Sequence, residues 1–169
     1  MESVVASENP DIIAITETWL TADVFDYEIS LADYTAFRQD RCGNRKGGGV
    51  ILYFRKFLHA ILFLREGSSG GVVEHNWCKC HIAIAPVVTV GCLYRSPGSP
   101  GDYVLDAIRQ VGNHPRSIIL GDFNAPDIDW NRWHVNASDV SFDAKLFDSA
   151  LVRRVQPLLN FLEKSSSEY

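Results

Sequence analysis

The chain has 169 residues, of which 46% are hydrophobic, and a formal net charge of -5. This length and apolar content predict one domain with a core. The acidic balance argues against a strongly basic, non-specific nucleic-acid binder. The acidic net charge does not argue against an enzyme that binds phosphates through a metal ion and a few local cations.

The sequence contains no apolar run long enough to cross a membrane, so no membrane partner is expected. Its first ten residues lack both the basic start and the apolar middle of a signal peptide. The four cysteines form no recognisable disulfide framework. We therefore expect an intracellular, reducing setting without a disulfide partner, and the sequence leaves the oligomeric state open.

In the first half of the chain, a helix is expected over residues 2–8, because Asn9 and Pro10 would end it. Short apolar runs rich in β-branched and aromatic residues then predict three strands: Asp11–Thr16, Tyr34–Phe37 and Val50–Phe54. The triple glycine 47–49 precedes a strand and lacks the Lys-Ser/Thr ending of a phosphate-binding loop. It is therefore interpreted as a hairpin turn.

Further strands are expected in the second half, with the last two paired as a hairpin: Ala60–Leu64, Asn76–Ala85 and Val87–Tyr94. Apolar residues alternate along the second of these, which predicts a half-buried strand with Trp77, Lys79 and His81 on its outer face. Helical spacing of apolar residues predicts helices over 102–111 and 142–155. One domain is expected over 1–160, with a disordered tail at 161–169.

The stretch Ser117–Trp130 is the part of the sequence around which the other predicted elements are interpreted. Its apolar start predicts a buried strand, and Asp122 and Asn124 follow just beyond that strand. In an extended segment these two side chains would face one volume, where Asp can bind a metal or hold a water. Gly, Asp, Asn and Pro are also the usual turn residues, so a plain turn is an alternative.

Glu17 follows its own predicted strand, as Asp122 follows the strand that begins at Ser117. In α/β sheets, binding sites collect beyond the carboxyl ends of the strands. Two strands that are each followed by a carboxylate at that end indicate a binding site more strongly than either strand alone. The sequence contains many predicted strands, most of them in hairpins, and two or three predicted helices. This composition predicts an α/β fold in which two mixed sheets form a sandwich flanked by helices.

Four motifs occur in order along the chain: DIIAITETWL, DRCGNRKGGGVILYF, LYRSPGS and IILGDFNAPDIDW. Together they resemble the endonuclease/exonuclease/phosphatase superfamily. The resemblance is closest to the apurinic-like endonuclease domain of non-LTR retrotransposons, which lies upstream of a reverse transcriptase, and it covers roughly residues 9–155. It implies a four-layer sandwich, here truncated at both ends. It also implies hydrolysis of phosphodiester bonds that depends on Mg2+, with Mn2+ as a substitute, and that nicks DNA.

The resemblance also assigns roles to individual residues. Glu17 would be the metal ligand, and Tyr94 would help to hold the phosphate. Asp122 would orient or deprotonate the attacking water, assisted by Asn124. By family analogy, the partner is the phosphate backbone of DNA and the nucleus is a candidate compartment, although no targeting signal is seen. For Tyr94 the alternative is a residue at the edge of the core.

Two features of the family pattern are missing from the sequence. The family begins with a strand bearing an Asn that reaches the metal, and it ends with a Ser-Asp-His motif. Ser138-Asp139-Val140 has Val where His is needed. We therefore expect impaired activity, with a non-catalytic retroelement-derived remnant as the alternative. A phosphoinositide or sphingolipid phosphodiesterase is a less favoured alternative.

Other polar residues receive simpler interpretations. Asp127 and Asp129 are interpreted as solvated loop acids rather than metal ligands. Cys78 and Cys80, which lie near two histidines, are interpreted as core residues, because their spacing fits no common zinc pattern. For four basic residues, contact with DNA phosphates and a solvated loop are left as equal alternatives: Arg38, Arg41, Arg45 and Lys46.

Overall fold

The computed structural model describes residues 2–41, 47–64, 73–82, 87–112, 114 and 116–152. The chain divides into two compact units, Met1–Asn124 and Ala125–Tyr169. The elements of the first unit are α1 Glu2–Glu8, β1 Ile12–Thr16, β2 Tyr34–Gln39, β3 Val50–Arg55, β4 Ile61–Leu64, β5 Val73–Cys80, β6 Val88–Arg95, α2 Asp102–Gly112 and β7 Ser117–Asp122. Those of the second unit are β8 Ile128–Asp129, β9 His134–Val135 and α3 Phe142–Val152.

The first sheet has the strand order β1-β3-β2 and is antiparallel throughout. Its central strand, β3, is buried over Val50–Phe54 because it has a neighbour on each side and is covered on both faces. Thr16 at the end of β1 is paired with Val50 at the start of β3. This register places the residue after β1, Glu17, beside the glycines that precede β3.

The second sheet has the order β4-β5-β6-β7. Its first three strands are antiparallel neighbours, whereas β6 and β7 run parallel and are joined through α2. The parallel register puts Asp122 beside Tyr94. The predicted α/β class is confirmed, with one refinement: only the second sheet is mixed.

The core of the first unit lies between the two sheets. Side chains of β3 such as Leu52 and Phe54 pack against Cys78, Val90 and Cys92 from the second sheet. On the opposite face of the first sheet, Val5 of α1 packs near Tyr53. Because α2 packs on β6 and β7, the order of layers is helix, sheet, sheet, helix, as the family resemblance implies.

The prediction of a half-buried strand is wrong for Trp77. This side chain is completely buried, because its indole ring lies over Gly91 of the neighbouring strand. A Cβ atom at Gly91 would come within 1.9 Å of the ring. Alternation of apolar and polar residues along one strand cannot reveal which residue lies opposite on the neighbouring strand. Here that residue is a glycine, and its missing side chain leaves room for the indole ring. The predicted end of that strand, 83–85, lies outside the described residues.

In the second unit, β8 and β9 form a small antiparallel hairpin. Trp130, Trp133 and Phe147 form an aromatic cluster with ring centroids 6.1–6.3 Å apart. The helix α3 begins at Phe142 as predicted, and the Ser141 hydroxyl accepts the Ala144 N–H at 3.1 Å. Residues 153–169, which include the predicted tail, lie outside the described part of the chain.

Within that described part, none of the helices has the length and apolar character needed to cross a membrane.

Candidate active site at the strand ends

The inner face of the second sheet changes from apolar to polar toward one end. In the middle of the sheet, Cys78 is paired with Val90. Four residues further along the same face, the pair is Glu74 with Tyr94, and Asp122 lies beside Tyr94 in the next strand. Polar groups therefore collect where the apolar core ends.

Glu17 and Tyr94, both predicted site residues, are brought together across the two sheets. The Tyr94 hydroxyl donates a hydrogen bond to Glu17 Oε1 at 2.7 Å. Glu17 has a positive φ of 53°, which turns the chain directly after β1. Burial, followed by the hydrogen bond to Glu17, raises the pKa of Tyr94, so its hydroxyl remains a donor at neutral pH.

The triple glycine holds the segment that contains Glu17. The Trp19 N–H donates to the Gly48 carbonyl at 2.9 Å, and the Thr18 N–H donates to the Gly49 carbonyl at 3.3 Å. Gly49 has a φ of 84°, and a Cβ atom there would lie 2.5 Å from Thr18 Oγ1. The glycines thus continue the backbone pairing beyond the start of β3, while residues 42–46 of the predicted hairpin connection lie outside the described residues.

Asp122 and Asn124 are close together, but not for the reason expected from an extended segment. Asn124 has a positive φ of 47°, and its N–H donates to Asp122 Oδ1 at 3.0 Å. This bond closes a tight turn of the kind Asp and Asn favour. The turn interpretation therefore holds for these two residues, and the site interpretation stays a prediction for the same pair.

Arg95 fixes this turn, and the sequence analysis did not identify it. The residue is 9% exposed, and its guanidinium donates to the carbonyls of Asn124 and Ser99, each at 2.9 Å. In return, the Asn124 side-chain amide donates to the Arg95 carbonyl at 2.5 Å. The signal in the sequence was its position directly after Tyr94 in the motif LYRSPGS.

Arg41 lies at the same end of the molecule and pairs with Glu74. The Arg41 guanidinium also donates to Ser96 Oγ at 2.5 Å and lies 5.8 Å from the centre of the Tyr94 ring. The solvated-loop interpretation is therefore wrong for Arg41, and contact with DNA remains untested. Glu74 was missed because the predicted strand began two residues later, at Asn76.

Arg38 is also no solvated side chain, since it pairs with Asp40 and Asp26 and donates to the Val24 carbonyl at 2.6 Å. Arg45 and Lys46 lie outside the described residues.

The donor chemistry at Glu17 suits a hard cation. Mg2+ takes oxygen ligands and is often held by one or two carboxylates, with waters and substrate completing its shell. Among the described residues, no three His, Cys, Asp or Glu side chains gather in a closed metal cage. A single carboxylate at a strand end nevertheless fits the open manner in which Mg2+ is bound.

The remaining candidate ligands have structural roles. Asp129 accepts the N–H groups of Asn131 and Arg132, each at 3.0 Å, which is a turn contact. Cys78 and Cys80 are buried free thiols within the apolar core, so the core interpretation is confirmed over zinc. Burial raises the pKa of Cys78 to about 12.

A cavity of about 360 Å³ lies elsewhere in the first unit and is lined by Tyr34, Phe37 and Arg38 among others. None of the four predicted site residues lines it. This cavity is therefore separate from the four predicted site residues.

The fold and the site define a class: a two-sheet α/β sandwich with carboxylate, phenol and amide groups at the ends of its strands. The sequence profile of the endonuclease/exonuclease/phosphatase family matches residues 1–155, and the chain therefore belongs to this family. Enzymes of this family generally use divalent metals.

Solved structures agree with this fold. The catalytic domain of human nocturnin, determined with a bound sulfate anion, has a TM-score of 0.55 at 14% identity, covering 88% of this chain and 59% of that one. ANGEL2, a 2′,3′-cyclic phosphatase, has a TM-score of 0.52 at 17% identity, covering 73% of this chain and 42% of that one.

TDP2 from C. elegans has a TM-score of 0.48 at 15% identity, covering 73% of this chain and 40% of that one. The chain thus spans less than two thirds of the length of each of these three proteins. No curated protein sequence is significantly similar to it.

Proposed function

We propose that this chain carries a Mg2+-dependent site for hydrolysing the phosphodiester bonds of DNA, of the type found in retrotransposon endonucleases. The observation that supports it best is the 2.7 Å hydrogen bond from Tyr94 to Glu17, made by a tyrosine that lies beside Asp122. A carboxylate that follows β1 and a carboxylate at the end of β7 thereby share one tyrosine as a neighbour. Such an arrangement suits a metal ion on one side of a phosphate and a water on the other.

Each residue has a distinct task in this proposal. Glu17 supplies the carboxylate ligand, and bound Mg2+ would offset the negative charge of the phosphate and of the leaving oxygen. Asp122 is oriented by the Asn124 N–H on one carboxylate oxygen, which leaves the other oxygen to accept the proton of the attacking water. Tyr94 is kept protonated, and its one hydroxyl proton, which is donated to Glu17 in this structure, would pass to a phosphate oxygen only by exchanging that hydrogen bond when substrate binds.

The choice of DNA and of the retrotransposon type rests on the four motifs that occur in order. The continuation Asp127-Ile128-Asp129-Trp130 after the Asp122 turn, and the helix that begins at Phe142, favour that branch over inositol phosphatases. The comparisons support the broader family only.

The assay is nicking of supercoiled plasmid in Mg2+, with EDTA as the metal-free control. Loss of a catalytic acid or base typically costs 10²–10⁴-fold in rate, so we expect about that loss in Asp122→Ala. Glu17→Gln should also lose activity, with partial recovery at higher Mg2+ concentration. Asp127→Ala removes an exposed loop acid of the second unit and should nick like the wild type.

Equal nicking by the wild type and all three variants would refute the assignment of the site. A folded wild-type protein that nicks no faster than buffer would instead favour the non-catalytic alternative.

A further inference from the structure

Trp19 is an exposed aromatic residue next to the proposed metal ligand. It is 63% exposed, which is unusual for so large an apolar side chain beside a polar site. Its φ of 57° is a conformation that bulky residues rarely adopt. An exposed ring held in an unfavourable backbone conformation needs an explanation beyond packing.

The indole is also held in place. The Trp19 N–H bonds to the Gly48 carbonyl at 2.9 Å, and its Nε1–H donates to Glu17 Oε2 at 3.2 Å. The ring lies over Gly47, where a Cβ atom would be 3.5 Å from the indole. These contacts fix the ring while leaving most of its apolar surface to solvent.

We propose that Trp19 is a stacking platform for an unpaired DNA base next to the phosphate bound at Glu17 and Asp122. Binding and hydrolysis of a phosphate depend on charges and hydrogen bonds, so they do not require a flat apolar surface at the rim of the site. A nucleotide presents a phosphate and an aromatic base together, and it matches both parts of the site. This inference rests on the proposed function, because it takes the phosphate to be bound at that site.

The indole makes two contributions that substitutions can separate. This separation distinguishes a stacking platform from a residue with a purely structural role. The Nε1–H positions the Glu17 carboxylate, whereas the ring faces can stack on a base. Trp19→Phe removes the hydrogen bond and keeps an aromatic face, while Trp19→Leu removes both. Stacking of a base on an aromatic side chain is worth about 5- to 150-fold in affinity.

The test measures binding of a short single-stranded thymidine oligonucleotide in Mg2+, in an Asp122→Asn background that prevents cleavage. The matched probe is the same oligonucleotide with abasic residues, which retains the phosphates and loses the bases. Trp19→Leu should have a Kd for the thymidine oligonucleotide about 5- to 150-fold higher than Trp19→Phe, which lacks the same hydrogen bond to Glu17, whereas the two variants should have equal Kd values for the abasic one. Trp19→Phe should retain most of the affinity, and Tyr103→Leu, which removes an exposed aromatic residue from α2, should change neither Kd.

The inference fails if Trp19→Leu binds the thymidine oligonucleotide as tightly as Trp19→Phe does, if it weakens binding of both probes equally relative to Trp19→Phe, or if the parent binds neither probe. Failure of the proposed function looks different. In that case the Trp19-dependent difference between the two probes persists, but the chain with Asp122 restored does not nick plasmid.

Discussion

Arg41 and Glu74 form a buried ion pair that connects three segments around the candidate site. Their side chains are 12% and 1% exposed. Glu74 also accepts the Gly49 N–H at 2.9 Å, and Arg41 donates to Ser96. The pair therefore joins the segment after β2, the glycines before β3 and the loop after β6, although 33 residues separate its members in the sequence.

Breaking this pair should destabilise the protein strongly. In Arg41→Met, the Glu74 carboxylate would remain buried without its cation, and such a loss typically costs 3–5 kcal/mol, so we expect the free energy of unfolding to fall by about that amount. Arg41→Met/Glu74→Leu should recover part of the loss, because the unpaired charge is removed as well. Urea denaturation measures both variants.

The matched control is Arg109→Met, which removes a pair with Asp106 whose side chains are 56% and 62% exposed. Exposed pairs contribute about 0–1 kcal/mol. If the losses in Arg41→Met and Arg109→Met were equal, the buried pair would not have the role described.

Gly121 should be intolerant of any side chain. It has a φ of 146°, and a Cβ atom would lie 1.9 Å from the Leu93 carbonyl oxygen on the adjacent strand. Gly121→Ala combines a backbone clash with an unfavourable conformation, so we expect a loss of about 2–5 kcal/mol in the free energy of unfolding. Gly98→Ala is the control, since Gly98 also has a positive φ but has open space around it. It should lose only about 1–2 kcal/mol, and an equal loss in both variants would contradict the clash.

Removing the Arg95 side chain should loosen the turn that carries Asp122. Its guanidinium bonds to three carbonyls, and hydrogen bonds from a charged donor typically contribute about 1.5–3 kcal/mol each. We expect Arg95→Met to lose at least about that much stability and to speed amide hydrogen exchange at Phe123 and Asn124. The control is Arg132→Met, which changes an exposed residue of the second unit. In this variant, amide hydrogen exchange at Phe123 and Asn124 should match that of the wild type. Unchanged exchange in Arg95→Met would show that Arg95 does not hold the turn.

The buried thiols should make the protein sensitive to alkali. Burial raises the pKa of Cys92 to about 12 from an ordinary value of 9.0. A raised pKa in the folded state favours the neutral thiol, so its contribution to stability is full below pH 9 and is lost as the pH rises toward about 12. The free energy of unfolding should therefore fall over this range, and it should fall less steeply in Cys92→Ala.

The same thiols should resist alkylation at pH 8 while the protein is folded. The measurement is the number of iodoacetamide adducts in Cys42→Ser, because Cys42 lies outside the described residues and the other three cysteines are buried. Rapid modification of the folded Cys42→Ser variant at pH 8 would contradict the burial.

The sequence by itself determined most of the strands and the two acidic strand ends, since apolar runs, Gly and Pro act locally on the backbone. Glu17 and Asp122 were identifiable in this way, because each comes at the end of a short apolar run. The prediction of buried strands was wrong here, since β1 and β7 are both half-buried and Asp122 is the last residue of β7. What only the tertiary structure decided was which distant groups meet. Packing of the two sheets brings the Tyr94 hydroxyl to Glu17, 77 residues away, and strand pairing places Gly91, which has no side chain, beside Trp77, so that Trp77 can be buried. These contacts depend on how the sheets pack, and no local pattern in the chain encodes that packing.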